Sequence, residues 1–369
     1  MRRTDVTSYF KTNRIGNKMR KKFFRNIIFS KTPLKSKFRY KDEFQIYPCY
    51  YPNAPKSKIC NDFPLVIEYW IDEDSPPEIP SDYEDIKGFL SLRTNQFNRL
   101  KKITRLLSTL TNHRIFDYSY SDVQWGMQFP EEITDKNREE VNKQNCQPFL
   151  KIYGYSTISE DMTITNFSNE KFDNPKFIKH WEYFFNTSLD TKDGEILFPE
   201  TIENTLDKYY GMPNNQREIV DTVMHLVCNG IDLKPTMKSM SFLAFVSSIE
   251  TLLNFEYKGL NKSIDFECRD CQTIKSSPFA CHKCGRPIWG VKAKFRDFLT
   301  KYISADKASV TKYNKIYNLR SQITHNGLLL LGDEQMDWRK IDKKDNETIV
   351  HVELMQLSKI AITNWISRQ

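Results

Sequence analysis

The pattern of apolar and polar positions changes period partway along the chain. Up to about residue 170 the apolar residues come in short runs. Residues 43–52, 63–71, 121–129, 147–155 and 161–167 are rich in Tyr, Phe, Ile, Val and Trp and are bounded by Pro, Asn, Asp or Ser. Bounded runs of this composition predict strands. Between the second and third runs, Phe97, Leu100, Ile103, Leu107 and Leu110 recur at helical spacing, with Arg99, Lys101, Lys102 and Arg105 on the other side. That periodicity predicts an amphipathic helix. From about residue 172 the helical period dominates and predicts helices over 199–211, 214–228, 236–256, 291–303, 307–326 and 350–367. The expected architecture is multi-domain, with an N-terminal α+β domain over residues 1–170 and an all-α helical domain over 171–369. No internal repeat or low-complexity linker marks the boundary. Residues 71–85 hold seven acidic residues together with Pro76, Pro77 and Pro80, a combination that cannot sustain a helix and predicts an exposed loop.

The 369 residues are 39% hydrophobic and 28% charged, enough apolar material for one large core or two ordinary ones. The longest strongly apolar stretch, 241–253, is interrupted by serines and Glu250 and falls short of the roughly 20 residues that span a bilayer, so no membrane is expected. Neither a GxxxxGK[ST] nor a GxGxxG pattern occurs among the 12 glycines, which argues against a P-loop ATPase or a Rossmann dehydrogenase. The net charge of +8 is local: residues 1–41 carry 14 Lys or Arg against Asp5 alone, and the remainder is net acidic. This segment reads as a basic N-terminal arm, suited either to an anionic partner or to the edge of the first domain. It lacks the h-region of a secretory signal, so a cytoplasmic location is expected.

Four of the eight cysteines form Cys268-x2-Cys271 and Cys281-x2-Cys284, separated by nine residues and followed by Gly285. Two thiolates at two-residue spacing can turn toward one ion, and four complete a tetrahedral shell at about 2.3 Å. The spacing therefore predicts a four-cysteine zinc knuckle over 266–290, inserted in the helical domain, with Zn2+ in a structural role. His282 lies inside the second pair and is not required by a four-thiolate shell, while Cys49, Cys60, Cys146 and Cys228 show no pairing pattern.

The helix predicted over 236–256 is apolar around nearly its whole circumference, and Glu250 is the only charged residue between Lys238 and Glu256. A carboxylate in that setting needs a cation or several donors. The helix over 307–326 places Tyr313, Ile316, Tyr317 and Arg320 on one face, which makes Arg320 the candidate partner. His325, Asn326 and Gly327 follow, and a Gly just past a helix is the usual left-handed cap. His325 should therefore lie at a helix end, beside a turn.

The run Tyr317-Asn318-Leu319-Arg320-Ser321-Gln322-Ile323-Thr324-His325-Asn326-Gly327 resembles the Arg-x4-6-His signature of HEPN-domain proteins, most closely the ApeA-like group of bacterial anti-phage proteins. The helix bearing Ser247-Ser248-Ile249-Glu250 resembles the preceding family helix that presents an acidic residue. The resemblance covers about residues 195–369. It implies a HEPN-like helical bundle acting as a metal-independent endoribonuclease, an abortive-infection effector that cuts a tRNA or other host RNA, works as a homodimer and answers to a phage-derived trigger. In that reading His325 is the acid or base, Arg320 stabilises the phosphate, Glu250 orients one or both, and Ser321 and Asn326 contact substrate. The chemistry suits the residue types: an imidazole exchanges protons near neutrality, and a guanidinium is a permanent cation. Two other functions fit the same residues: a non-catalytic, zinc-containing nucleic-acid-binding module, and a HEPN toxin controlled by a separate protein partner.

Overall fold

The computed structural model describes residues 21–49, 63–72, 87–117, 124–125, 148–149, 166–185, 194–258, 264–267, 272–277, 289–330, 332–333 and 341–369. Its first half is built on a five-stranded antiparallel sheet of β1 (Lys21–Ser30), β2 (Phe38–Tyr40), β3 (Phe44–Pro48), β4 (Phe63–Asp72) and β5 (Ile115–Phe116), in the order β2-β3-β4-β1-β5. Strand β1 pairs with β4 along its whole length, from Lys21 opposite Asp72 to Ser30 opposite Phe63. The C-terminal part of the expected basic arm is therefore an interior strand. Ile28 and Phe29 are buried, and Arg25, the charge that would be costliest to enclose, bonds Glu68 on the neighbouring strand through Nε at 2.8 Å and Nη2 at 2.6 Å. Glu68 also accepts from Gln45 (2.5 Å), from the Tyr47 hydroxyl (2.7 Å) and from the Ser168 backbone N–H (2.8 Å), so this fully buried carboxylate is well satisfied.

The helix expected around Phe97–Leu110 is α1 (Lys87–Leu110), whose Leu100, Ile103, Leu107 and Leu110 are buried. Of the strand runs expected beyond it, only β6 (Gln124–Trp125) and β7 (Pro148–Phe149) fall within the described residues. Asn166 and Phe167 are not in a strand, and the rest of 161–167 lies outside the described residues, as do residues 73–85 of the expected acidic loop, whose first two residues instead end β4, and residues 1–20 of the arm. Strands β8 (Phe177–Ile178) and β9 (Phe198–Pro199) form a short parallel pair around α2 (His180–Phe185).

Six further helices follow: α3 (Ile202–Gly211), α4 (Asn214–Leu233), α5 (Lys238–Glu256), α6 (Val291–Tyr302), α7 (Lys307–Asn326) and α8 (Ile341–Ser367). Helix α5 buries Phe242, Phe245, Val246, Ile249, Leu252 and Leu253 and packs against α4, α6, α7 and α8. Its approach to α4 is close, since a Cβ at Gly230 would stand 2.7 Å from the Phe245 ring. A single cluster of buried residues runs from the sheet (Ile28, Phe44, Ile67) through α1 (Ile103, Leu107) into the helices (Val223, Phe245, Trp365). Among the described residues no helix is long and apolar enough to cross a membrane.

The zinc-knuckle part of the expected fold requires correction. Among the described residues no group of three or more His, Cys, Asp or Glu is placed to hold a metal ion. Cys268, Cys271, Cys281 and Cys284 themselves lie outside the described residues. Between α5 and α6 the described chain forms an antiparallel hairpin of β10 (Ile264–Glu267) and β11 (Ile274–Ser277). Cysteine spacing makes a shared ligand shell geometrically accessible but does not supply an ion, and the expected structural Zn2+ has no site among the described residues.

Candidate active site

Glu250 and Arg320 come from the two helices that the sequence pattern singled out, and the fold brings them together. On α5 the positions 240, 243, 244, 247, 250, 251 and 254 form a face left partly or fully open, while Phe242, Phe245, Val246, Ile249, Leu252 and Leu253 on the other side are buried. Helix α7 is capped by Asp306, whose carboxylate accepts from the Ser304 hydroxyl and from the Ser309 backbone N–H (2.9 Å), and these bonds, the one from Ser304 foremost, hold the Asp306 carboxyl well below the usual carboxylate range. It buries Tyr313, Ile316, Tyr317, Leu319 and Ile323 against its neighbours. That packing turns Arg320 toward α5, where Arg320 Nη2 meets Glu250 Oε2 at 3.4 Å.

The pair is long for an ion pair and partly open to solvent, with side-chain exposures of 24% for Arg320 and 16% for Glu250. Neither group is saturated by the contact. Glu250 Oε1 is buried and has no hydrogen-bond partner among the described residues. Arg320 Nη1 donates a 3.3 Å bond to the Thr324 hydroxyl, and the guanidinium carbon lies 5.7 Å from the centroid of the Tyr317 ring. Burial and the neighbouring Glu250 carboxylate raise the Tyr317 phenol above its ordinary value, so it stays protonated through the physiological range.

Helix α7 ends as its sequence implies. Gly327 adopts φ 65° and ψ 24°, and its N–H and that of Leu328 both turn back to the Gln322 carbonyl. His325 lies in the last turn and is exposed, as is Asn326, while Ser321 is half-buried beside Arg320. The structure thus joins Glu250 with Arg320 and leaves His325 and Asn326 at the accessible helix end. Five helical steps set His325 about 140° around α7 from Arg320 and about 7.5 Å along it. Within one chain, therefore, the imidazole and the guanidinium do not converge on a single point.

Two features that sequence reasoning did not assign a role hold this end in place. Tyr317 sits three residues before Arg320, a spacing that could have marked it as a neighbour of Glu250. Asp333 offers no such signal. From the segment after α7 it caps α5, accepting from the backbone N–H groups of Lys238 (2.7 Å) and Ser239 (2.6 Å), while the Ser239 hydroxyl accepts from the Leu330 N–H at 2.9 Å. Burial works against the Asp333 carboxylate, yet the bonds from Ser239 and Lys238 win and hold it below its ordinary value. The start of α5 and the chain leaving α7 also border an apolar groove of about 450 Å³, whose walls include Met240, Leu243, Ile323 and Leu329. No family model, curated protein or solved structure matches this chain.

Proposed function

We propose that the chain is an endoribonuclease that cuts RNA by attack of a ribose 2′-OH on the adjacent phosphorus, with Arg320 and His325 as catalytic residues and Glu250 as a positioning residue. The observation that carries this reading is the contact between Arg320 and Glu250, one face of α7 held beside the partly open face of α5, with an exposed His325 one and a half turns away. An imidazole takes the 2′-OH proton as the new P–O2′ bond forms. The P–O5′ bond breaks, and the departing 5′ oxygen receives a proton from a second imidazole, leaving a 2′,3′-cyclic phosphate and a 5′-OH. Charge gathers on the non-bridging oxygens during this exchange, and a fixed guanidinium placed there stabilises the transition state more than the ground state. The pairing with Glu250 supports this role by limiting the directions in which Arg320 can reach. Ser321 and Asn326 flank the two residues and are the candidate substrate contacts.

Two copies of the chain complete the site. The 140° offset separates His325 from Arg320 within one α7, whereas a two-fold pairing of α7 ends would set two imidazoles and two guanidiniums around one phosphate. The groove beside this end supports such a pairing, since Met237, Met240 and Leu329 are 49%, 49% and 43% exposed. The test is cleavage of a single-stranded RNA and its DNA counterpart without added metal ion. Cleavage should be confined to RNA and abolished by both Arg320→Ala and His325→Ala. Activity that survives His325→Ala, or that treats DNA and RNA alike, would refute the proposal.

A further inference from the structure

A second cavity lies far from α7 in sequence and draws on both halves of the chain. It has a volume of about 400 Å³ and forms where the end of β4, the middle of α1 and the junction of α3 with α4 meet. Three cations line it: Arg99 and Lys102 from α1 and Arg217 from the first turn of α4. Among the described residues Glu43 is the one carboxylate on its wall, and it bonds Arg99 Nη2. Lys102 is tethered to Asp221 at 2.9 Å. Arg217 is half-buried, its nearest polar partner being the Asn214 side chain in the same turn. Arg99 is not saturated by Glu43, because its Nε is buried without a hydrogen-bond partner among the described residues.

The remaining walls are aromatic and amide. Trp70 is fixed edge-on by Phe23 (5.0 Å between centroids) and Phe167 (6.4 Å), and Tyr210 stacks on Tyr40 at 5.4 Å with its ring 5.4 Å from the Arg99 guanidinium. Asn98, exposed on α1, adds a donor and an acceptor that can read the edge of a heterocycle. A cavity of this size that joins rigid aromatic walls to cations converging from two elements has the make-up of a small-ligand site rather than of a packing defect. A packing defect would be apolar, and a purely electrostatic surface would have no need of Trp70.

We propose that this cavity binds a mononucleotide-sized ligand, a phosphorylated molecule carrying a flat ring. The phosphate lies against Arg217 and Lys102, and the ring lies between the Trp70 wall and the Asn98 amide. The inference is independent of the ribonuclease reading, since Arg320, His325 and Glu250 take no part in it. Because α1 and β4 belong to the sheet half and Arg217 to the helical half, an occupant would bridge the two.

The experiment is calorimetric titration of the full chain with each of the four ribonucleoside 5′-monophosphates, the corresponding nucleosides and inorganic phosphate. At least one monophosphate should bind with a Kd below about 1 mM, and its nucleoside and free phosphate should each bind about tenfold more weakly or worse. Arg217→Glu should reduce affinity by about tenfold or more, and Asn98→Asp, at an exposed helix position that leaves the fold intact, should do the same. Arg320→Ala should leave it unchanged. Failure of all four monophosphates to bind, equal binding of nucleoside and nucleotide, or affinity that survives both Arg217→Glu and Asn98→Asp would overturn the proposal. Affinity lost in Arg320→Ala would overturn it as well, by placing the nucleotide at the α7 end.

Discussion

Glu250 illustrates how much a single side chain can be asked to do in a half-closed site. One oxygen faces Arg320 at 3.4 Å and the other is buried without a partner among the described residues, so the carboxylate orients the guanidinium without locking it. Glu250→Gln retains the shape and removes the charge. It should lower RNA cleavage well below wild type while changing stability by under about 1 kcal/mol, the range of partly exposed pairs, as read from turnover and urea denaturation on the same preparation. A different cost sits at His113, which is fully buried, has no partner for either ring nitrogen among the described residues, and lies near Lys359. Burial, helped by that lysine, pushes its pKa down to about 3, and burial with Lys234 and Lys238 pushes His351 down to about 4. Both folded-state values are below the ordinary 6.5, so folding favours the neutral rings. Their contribution is complete above about pH 6.5 and is lost as pH falls toward those values, at a slope of up to about 1.4 kcal/mol per pH unit for each histidine. Urea denaturation at pH 7 and pH 5 should show this loss, and His113→Leu should flatten the slope. A slope unchanged by His113→Leu would show that the ring titrates freely in the folded protein. At this scale the Arg320–Glu250 contact was legible, because each is a lone charge on an apolar helix face. The Asp333 cap was not, because its partners lie some 95 positions away in the chain.

Apart from the short α2 and the first turns of α8, the helices were legible as elements because each keeps one face buried over several turns. The sequence pattern places α7 at 307–326, and Lys307–Asn326 is what forms, with Asp306 and Gly327 closing its two ends. Strand β1 was obscured by its charges. Lys21, Lys22 and Arg25 make the segment look like a solvated arm, and the pairing of Arg25 with Glu68 on β4 offsets the cost of placing that charge inside the sheet. Of the strand runs expected at 121–129 and 147–155, the described residues Gln124–Trp125 and Pro148–Phe149 are strand and pair with each other. The doubled two-residue cysteine spacing was the most specific motif in the chain, and among the described residues it has no metal centre to correspond to. One element end links fold to site: Asp333 caps α5 and ties the segment leaving α7 to it. Asp333→Ala should cost about 1–2 kcal/mol of stability in urea denaturation, as loss of a helix cap does. It should also reduce cleavage more than an equally destabilising change in the distant sheet, because the end that carries His325 would lose its tether. Equal losses of activity from the two variants would argue that Asp333 serves stability alone.

Across the whole molecule, one buried cluster joins the sheet, α1 and the C-terminal helices, so the two halves share a core while carrying different chemistry. The α7 end offers a cation, a carboxylate and an exposed imidazole next to an apolar groove, and the proposed mechanism calls on a second copy to bring an imidazole and a guanidinium to one phosphate. Charging the groove should separate the copies. Met240→Glu and Leu329→Glu together should shift sedimentation toward the monomer and reduce cleavage in parallel, whereas a sedimentation coefficient unchanged from wild type would place any self-association elsewhere. The 2′-OH mechanism is open to a more direct measurement. An RNA is cut, the position is mapped, and the same RNA is prepared with a single 2′-deoxyribose on the 5′ side of that bond. Attack by the ribose hydroxyl predicts that the substituted bond resists cleavage while the unmodified RNA yields a 2′,3′-cyclic phosphate, a yield lost in His325→Ala. Cleavage of the 2′-deoxy bond at the unmodified rate would contradict it, since the nucleophile would then have to come from somewhere other than the substrate.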